Sequence, residues 1–301
     1  MNRRQAVMAG LGAGAAVAAG LAGQRAQAQE AGGGSKFKMK YAPHFNMFRH
    51  SAGKDPIDQL KFAADQGFHA WEDNGMSRKP PELQTKIGQE MQRLGMTMGV
   101  FVTGLGTLVS PPAKIKGQIV KSARNAIDVA KRVHATWTTV VPGGVNQRLE
   151  WDYMTANCVE NLKVAAGVLE PAGLVMVLEP LNWWANHPGL FLRKVPQAYQ
   201  ICRAVGSPSC KILDDLYHAQ IQEGNLIPNM EKAWSEIAYI QVGDNPGRKE
   251  PTTGEINYRN IFKWLHGRGY KGVIGMEHGN SKPGKEGEQA LIAAYRECDS
   301  F

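Results

Sequence analysis

The stretch at residues 237–258 reads IAYIQVGDNPGRKEPTTGEINY and places polar side chains directly after an apolar run. The apolar run predicts a buried strand, and the glycines and prolines that follow it predict a structured loop. Gln241 lies near the end of the run, while Arg248 and Glu250 lie in the loop. Loops on a rigid scaffold commonly carry binding residues, so the stretch is typical of an active-site rim. A solvated surface loop is the alternative.

The same pattern, a short apolar run followed by a longer amphipathic one, recurs along the chain. Eight runs predict strands: Met39–Pro43, Phe68–Glu72, Thr97–Val102, Thr136–Val141, Leu174–Glu179, Lys211–Asp215, Ile237–Val242 and Gly272–Glu277. Seven stretches predict helices: Pro56–Gln66, Glu82–Leu94, Ile115–Val133, Tyr153–Leu169, Val195–Val205, Tyr258–Arg268 and Gly287–Glu297. Between the sixth and seventh strands, Leu226–Trp234 has a weaker helical pattern.

Eight strand-and-helix units in about 260 residues match the count and length of a (β/α)8 barrel. The sequence therefore predicts an α/β fold, a single-domain TIM barrel over residues 37–301. A doubly wound open sheet is the main alternative, but the chain has no phosphate-binding loop of the kind such sheets carry.

Residues 1–28 predict an export signal that is not part of the folded domain. Arg3 and Arg4 precede an alanine- and glycine-rich apolar run, and Ala26-Gln27-Ala28 is a small-residue cleavage site. The paired arginines favour the twin-arginine route, so we expect a periplasmic or secreted protein with a flexible leader over residues 29–36. A membrane anchor is the alternative. The glycines and the cleavage site favour removal, so we expect no stable membrane insertion afterwards.

The net charge favours a small-molecule partner over nucleic acid. The formal charge of the chain is +8, and residues 1–28 hold three arginines and no acids, so their removal leaves +5. An excess of this size without a basic run gives little support for nucleic-acid binding and suits an anionic small molecule equally well. The number of associated chains stays open, a homo-oligomer included.

The four cysteines show no spacing typical of a metal site. An oxidising compartment would allow a disulfide such as Cys202–Cys210. Proteins exported after folding have less need of disulfides, so we interpret all four cysteines as structural.

Oxygen ligands stand at the ends of four consecutive predicted strands. They are Glu179 on the fifth strand, Asp214 and Asp215 on the sixth, Gln241 on the seventh and Glu277 on the eighth. In a barrel, these ends build the active site. A single buried acid is most often a paired structural residue, but acids at matching positions on successive strands are costly to bury unless a cation holds them. Such ligands favour one Mn²⁺ or Mg²⁺ ion, with Co²⁺ or Zn²⁺ as alternatives.

Four further residues lie near the predicted strand ends. His44 and Glu72 follow the first and second strands and would face the substrate, although a structural role for His44 is equally compatible with its position. Trp183 and its neighbour Trp184 would either stack on a sugar or pack beside the barrel mouth.

Four motifs resemble the hydroxypyruvate isomerase branch of the xylose isomerase-like TIM barrels, the sugar isomerase and epimerase superfamily. They are LEPLN (178–182), LDDLYHAQIQEGN (213–225), YIQVGDNPGRKEPTTGEINY (239–258) and GYKGVIGMEHG (269–279), and the resemblance spans residues 39–295. It implies metal ligands at Glu179, Asp215, Gln241 and Glu277. Asp215 is preferred to its neighbour because it keeps the family's spacing of three residues to His218. Glutamine at 241 is typical of this branch, whereas ketose 3-epimerases carry histidine there.

The resemblance also implies a reaction, namely aldose–ketose isomerisation or epimerisation of a sugar or keto acid by proton transfer through an enediolate. Glu179 and Glu277 would be the base and the acid on opposite sides of the substrate. His218 would bond a substrate oxygen. Arg248, held by Glu250 or by a substrate carboxylate, would anchor the far end.

The chain departs from the family in its first strand, YAPHFNMF, in the segment NWWANHPG and in its export signal. These departures leave the substrate open. One alternative is a metal-dependent lyase or hydrolase acting on oxidised (3-keto) sugars, and another is a non-catalytic periplasmic sugar-binding barrel. A DNA-repair nuclease would need a histidine-rich zinc cluster, for which these strand ends hold too few histidines.

Overall fold

Eight parallel strands follow one another in the computed structural model, which describes residues 36–301. They are β1 Lys40–Ala42, β2 Ala70–Trp71, β3 Thr97–Met98, β4 Trp137–Val140, β5 Val175–Leu178, β6 Cys210–Asp215, β7 Ile237–Val242 and β8 Val273–Met276. Seven lie inside the predicted runs, and β6 begins one residue earlier. The predicted export signal and nearly all of the predicted leader lie outside the described residues.

The strands close into a barrel. Six of them form one sheet in the order β1-β8-β7-β6-β5-β4, and β2 pairs with β3. Single parallel bridges between His44 and Glu72 and between Val102 and Thr139 join the two sheets at both edges. The predicted (β/α)8 barrel is therefore confirmed.

Helices alternate with the strands within residues 36–301. They are α1 Arg49–Ala52, α2 Pro56–Asp65, α3 Pro81–Arg93, α4 Pro112–Val133, α5 Trp151–Leu169, α6 Val195–Val205, α7 Leu216–Gln222, α8 Leu226–Ala233, α9 Tyr258–Gly267 and α10 Gly284–Cys298. Local signals set several ends. The Asp55 carboxylate accepts a hydrogen bond from the backbone N–H of Ile57 at 2.7 Å and caps α2. Gly206, with φ of 70°, ends α6 in the left-handed conformation.

All seven predicted helices exist, and the weakly patterned eighth is α8. The sequence did not predict α1 or α7. Helix α7 begins directly after β6 because Asp215 caps it, with its Oδ1 accepting a hydrogen bond from the backbone N–H of Tyr217 at 2.9 Å.

The barrel interior is built in layers. One apolar layer consists of Ala42, Ala70, Val100, Val177, Leu213, Tyr239 and Val273. Side chains alternate between the two faces of a strand, so residues two positions further along face the same interior. Those positions include Glu72, Glu179, Asp215, Gln241 and Gly275. The apolar layer therefore supports a polar layer at the carboxyl ends of the strands.

The cysteines are free and buried. The sulfur atoms of Cys202 and Cys210 lie 4.0 Å apart as thiols and form no disulfide in this structure. Among the helices of residues 36–301, none is long and apolar enough to cross a membrane.

Candidate active site

The four predicted metal ligands lie at the ends of neighbouring strands. Glu179 directly follows β5, Asp215 ends β6, Gln241 precedes the last residue of β7, and Glu277 directly follows β8. Gln241 is the register partner of Asp215 on one side and of Gly275 on the other. The structure therefore brings all four side chains to one side of the barrel mouth.

The structure separates Asp215 from its neighbour Asp214. Asp215 shares the inner face of β6 with Leu213 of the apolar layer, so strand alternation turns Asp214 outward toward the helices. Asp214 is buried there, and burial raises the pKa of its carboxyl group to about 7. Only Asp215 belongs to the polar layer.

Arg248 binds the acids of the site and not Glu250. Its Nη2 lies 2.8 Å from Asp215 Oδ2 and 3.3 Å from Glu277 Oε2, and its Nε donates to the Glu277 carbonyl at 3.1 Å. Glu250 is buried and accepts hydrogen bonds from the backbone N–H of Ser281, at 2.8 Å, and from the Ser281 hydroxyl. The predicted Glu250–Arg248 pair is therefore wrong, and Glu250 fixes the loop after β8. Because both of its oxygens bind Ser281, the structure does not support a substrate-binding role for Glu250.

The loop that carries Arg248 is held by Asp244, whose side chain is fully buried. Its carboxylate accepts hydrogen bonds from the backbone N–H groups of Gly254 at 2.9 Å and Ile256 at 3.1 Å. A Cβ atom at position 254 would lie 2.3 Å from the carbonyl oxygen of Asn245, so only glycine fits there. Asp244 thus fixes the loop at the barrel mouth, although residues 246–247 and 252–255 are exposed to solvent.

The proton of His218 lies on Nε2. Asn182 Oδ1 accepts from the backbone N–H groups of Ala185 at 3.1 Å and Asn186 at 3.0 Å, which fixes the orientation of the Asn182 amide. Its Nδ2 therefore donates to His218 Nδ1 at 2.6 Å. Burial lowers the pKa of His218 to about 4, so the ring is neutral at pH 7. The Nε2–H group lies 3.5 Å from Asp215 Oδ2 and suits the predicted hydrogen bond to a substrate oxygen.

Glu72 and His44 are bound to the protein itself. The Glu72 carboxylate is 1% exposed and accepts hydrogen bonds from Tyr239 Oη at 2.9 Å and Gln241 Nε2 at 3.0 Å. The ring nitrogens of His44 lie 3.0 Å from the Phe45 carbonyl and 3.2 Å from the His278 carbonyl. The prediction that these two residues face the substrate does not fit these contacts.

Burial raises the pKa values of three carboxyl groups of the site, those of Glu72, Glu179 and Glu277. Loss of hydration is the main cause for Glu179, followed by repulsion from Glu277 and Asp215. Burial and the Asp215 carboxylate raise the pKa of Glu277 to about 7, although the Arg248 cation opposes the shift. Burial also raises the pKa of Glu72, with repulsion from Glu277 as the next cause. A bound cation relieves repulsion of this kind.

The donor atoms of the site fit a divalent metal ion. Glu179, Asp215 and His218 each offer one atom, and these atoms lie within 4.8 Å of one another. Gln241 Oε1 and Glu277 Oε2 are buried without a hydrogen-bond partner among the described residues. Because His218 turns its proton toward the acids, the oxygen set of the other four residues fits a hard cation better.

Trp183 lines a separate cleft of about 910 Å³ between the loops that follow β4 and β5. A backbone hydrogen bond from Val145 to Gly189, at 2.8 Å, joins the two loops. The Arg193 guanidinium lies over the rings of Trp151 and Trp183, at 4.9 and 5.1 Å from their centres, and makes no ion pair with a described residue. Trp183 thus packs with Arg193 at the cleft and not among the acids.

Three residues of the site were not predicted. Asn182 orients His218, Tyr239 binds Glu72, and Asn74 donates from Nδ2 to Glu277 Oε1 at 3.0 Å. Strand alternation could have identified Tyr239, which is two residues before Gln241 on the same face of β7. Asn74 and Asn182 lie in loops, where alternation gives no signal.

The sequence matches the family described as "Xylose isomerase-like TIM barrel" over residues 60–298. It is 31% identical over 232 residues to the Homo sapiens protein named "Putative hydroxypyruvate isomerase", covering 73% of this chain and 82% of that protein. A 2-oxo-tetronate isomerase of Cupriavidus necator is 31% identical over 234 residues, covering 74% of this chain and 86% of its own length.

Solved structures share the barrel. A structure described as an AP endonuclease of family 2 from Brucella melitensis has a TM-score of 0.73 at 24% identity, covering 85% of this chain and 99% of that one. Solved sugar epimerases have the same fold. At these low identities, the likeness shows the fold alone.

Proposed function

The chain is an isomerase or epimerase that belongs to the xylose isomerase-like TIM barrel family, and we propose that it moves a proton between neighbouring positions of a sugar or keto acid with the help of one divalent metal ion. The polar layer at the strand ends supports this function best. It combines four oxygen ligands, two of which each have one buried oxygen atom that accepts no hydrogen bond from a described residue, with carboxyl groups whose pKa values are raised.

Glu179, Asp215, Gln241 and Glu277 would hold the ion. When bound, the ion would polarise the substrate carbonyl and stabilise negative charge on its oxygen. The chemistry of the ligands favours Mn²⁺ or Mg²⁺.

Glu179 and Glu277 would exchange the proton with the substrate. They come from β5 and β8, which lie three strands apart in the sheet, so they flank a molecule bound above β6 and β7. One residue, as the carboxylate, would remove the proton beside the carbonyl, and the other, as the carboxylic acid, would return one to the adjacent carbon or to the opposite face of the same carbon.

His218 and Arg248 would hold the substrate. The neutral His218 ring presents its Nε2–H group as a donor for a substrate oxygen. The Arg248 guanidinium lies 2.8 Å from Asp215 Oδ2 and would bind an anionic end of the substrate.

Exchange with solvent deuterium tests the proposal. The metal-loaded protein should introduce deuterium from D₂O at the carbon beside the carbonyl of a keto acid or keto sugar, because a carboxylate base can release its proton to water. NMR of a panel with hydroxypyruvate, 2-oxo-tetronate and ketohexoses would show the loss of the proton signal. A hydride shift would keep the original hydrogen on the substrate. No exchange with any member of the panel would contradict the proposed proton transfer.

Metal affinity should rise with pH. We expect one Mn²⁺ ion per chain, and binding must displace the proton that Glu277 holds below a pKa of about 7. Below that pKa, one proton must leave Glu277 for each ion that binds, so the Mn²⁺ affinity falls by about tenfold for each pH unit. We therefore expect the affinity to fall as the pH drops from about 8 to about 5.5. Calorimetric titration with Mn²⁺ at several pH values measures this. Glu277→Gln should flatten the dependence, and an affinity independent of pH would contradict the prediction.

The cleft beside Trp183 favours a second candidate, a metal-dependent lyase or hydrolase acting on larger oxidised (3-keto) sugars. Its two indole rings and the Arg193 cation offer stacking and charge to a second, anionic sugar unit. Trp183 follows Asn182, the residue that orients His218, so the cleft adjoins the site. A 3-keto disaccharide in the deuterium panel decides between the candidates. Its cleavage, without isomerisation of any smaller compound, would favour the second.

We also propose that the protein acts outside the cytoplasm after removal of residues 1–28. Arg3-Arg4 and the Ala26-Gln27-Ala28 site support this. N-terminal sequencing of the cellular protein should find Gln29 near the start, and an intact Met1 would contradict it.

A further inference from the structure

Three polar side chains form a buried network inside the barrel. Tyr239, Gln241 and Glu72 are each at most 1% exposed. Tyr239 Oη donates to Glu72 Oε2 at 2.9 Å, and Gln241 Nε2 donates to Glu72 Oε1 at 3.0 Å. The backbone N–H of Val100 donates to Tyr239 Oη at 3.4 Å, which leaves the Tyr239 proton for the carboxylate. Both Glu72 oxygens therefore accept hydrogen bonds from side chains.

The network determines which end of the Gln241 amide, the oxygen or the nitrogen, is turned toward the proposed metal site. A side-chain amide has a donor end and an acceptor end of nearly equal size, so packing alone does not choose between them. In this structure the Gln241 Nε2 group donates to Glu72 Oε1 at 3.0 Å, so Glu72 takes the Nε2 end of the amide. Gln241 Oε1 then points away from Glu72 and is buried without a partner among the described residues. A buried amide oxygen without a hydrogen-bond partner costs folding free energy unless another group, such as a metal ion, binds it.

Two glycines leave the space that the network occupies. A Cβ atom at Gly275 would lie 2.0 Å from Glu72 Oε2, and one at Gly99 would lie 2.2 Å from Tyr239 Oη. Glycine weakens a strand because it packs no side chain. It often marks a place where another group comes close to the backbone of the strand. Here both glycines face the network, one from β8 and one from the segment just after β3.

We propose that Glu72 is a positioning residue that holds the Gln241 amide so that its oxygen faces the metal ion. This inference rests on the proposed function, because it takes Gln241 as a metal ligand. Glu72 binds neither metal nor substrate and acts only through Gln241. Tyr239 holds the second oxygen of the carboxylate and keeps it in place.

A double-mutant cycle of Mn²⁺ affinity tests the proposal. Tyr239 Oη donates at the Glu72 Oε2 position, so in Glu72→Gln it keeps the amide oxygen there and the new NH₂ group faces Gln241. The Gln241 amide then turns to accept from this group and presents nitrogen to the metal. We expect Mn²⁺ affinity to fall by about 10–100-fold, as is usual when the support of a ligand is lost. Gln241→Met should weaken binding at least as much. Because Glu72 acts through Gln241, the double variant should bind Mn²⁺ no more weakly than Gln241→Met alone.

Co²⁺ absorption spectra give a second readout. Glu72→Gln should shift the visible bands, because the ligand field at the metal changes when the Gln241 oxygen leaves. Thr138→Val is the matched control, since it removes a buried hydroxyl bound to the Phe101 carbonyl at 2.8 Å in the same barrel. It should lower stability but leave affinity and spectrum unchanged.

Each outcome decides a different point. If Gln241→Met binds Mn²⁺ as tightly as the wild type, Gln241 is no ligand, and the metal assignment fails together with this inference. If Gln241→Met weakens binding but Glu72→Gln does not, the metal assignment stands and the positioning role is wrong. Losses that add up in the double variant would also overturn the inference, because Glu72 would then act on the metal independently.

Discussion

Replacing Glu179 or Glu277 with glutamine is expected to lower kcat by about 10⁴-fold, the upper end of the range for a single acid or base. Each glutamate would both transfer a proton and bind the metal, so glutamine removes two contributions at once. The substitutions keep the size of the side chain, and an amide oxygen at position 277 can still accept the hydrogen bond that Asn74 donates to Glu277 Oε1 at 3.0 Å. Steady-state kinetics with the substrate identified by deuterium exchange measures the loss.

Glu255→Gln is the control for this prediction. Glu255 is exposed in the loop after β7, where it accepts from Asn245 Nδ2 at 2.8 Å and has no contact with the acids of the site. We expect wild-type kcat for this variant, and melting temperatures for all three variants close to that of the wild type. If Glu179→Gln or Glu277→Gln kept kcat within about tenfold of the wild type, that residue would not be the base or the acid.

Gly275→Ala is expected to destabilise the barrel and to weaken metal binding by about 10–100-fold. The added Cβ would lie 2.0 Å from Glu72 Oε2 and 2.9 Å from Gln241 Cγ, closer than real Cβ atoms approach other atoms. Overpacking of this kind costs about 1–3 kcal/mol in the free energy of unfolding. The carboxylate that orients Gln241 must move to make room, so Mn²⁺ affinity should fall as in Glu72→Gln. Thermal unfolding and Mn²⁺ titration measure the two effects.

A glycine elsewhere provides the matched control for Gly275→Ala. Gly117 lies exposed in α4, and a Cβ atom there would meet no atom within 4 Å. Gly117→Ala should therefore stabilise the protein by about 0.5–1 kcal/mol, since alanine favours the helix. Adding Glu72→Asp to Gly275→Ala shortens the clashing side chain and should recover stability. An unchanged melting temperature in Gly275→Ala would mean that the interior tolerates a methyl group at this position.

Much of the fold followed from local sequence patterns. Strands of a closed parallel barrel are buried on both faces, so each appears as an apolar run between amphipathic helices, and all eight runs were found. The boundaries were less accurate because strands such as β2 and β3 retain only two paired residues, Ala70–Trp71 and Thr97–Met98. Helix α7 was missed because the residues after Asp215 were interpreted as part of the site.

Local sequence patterns were enough to predict the barrel and to put Glu179, Gln241, Glu277 and the pair Asp214-Asp215 at its mouth, because a side chain's place on a strand follows from counting residues. The choice of Asp215 over Asp214 came from the family resemblance. Which groups bind one another became clear only from the folded barrel. Arg248 binds Asp215, 33 positions away, and not nearby Glu250, and Glu72 binds Tyr239 across 167 positions. Such contacts depend on strand register and on the space left by glycines on other strands. Hydrogen bonding between distant residues, and not local pattern, therefore made Glu72 a partner of Gln241 and left the Gln241 oxygen free for a ligand.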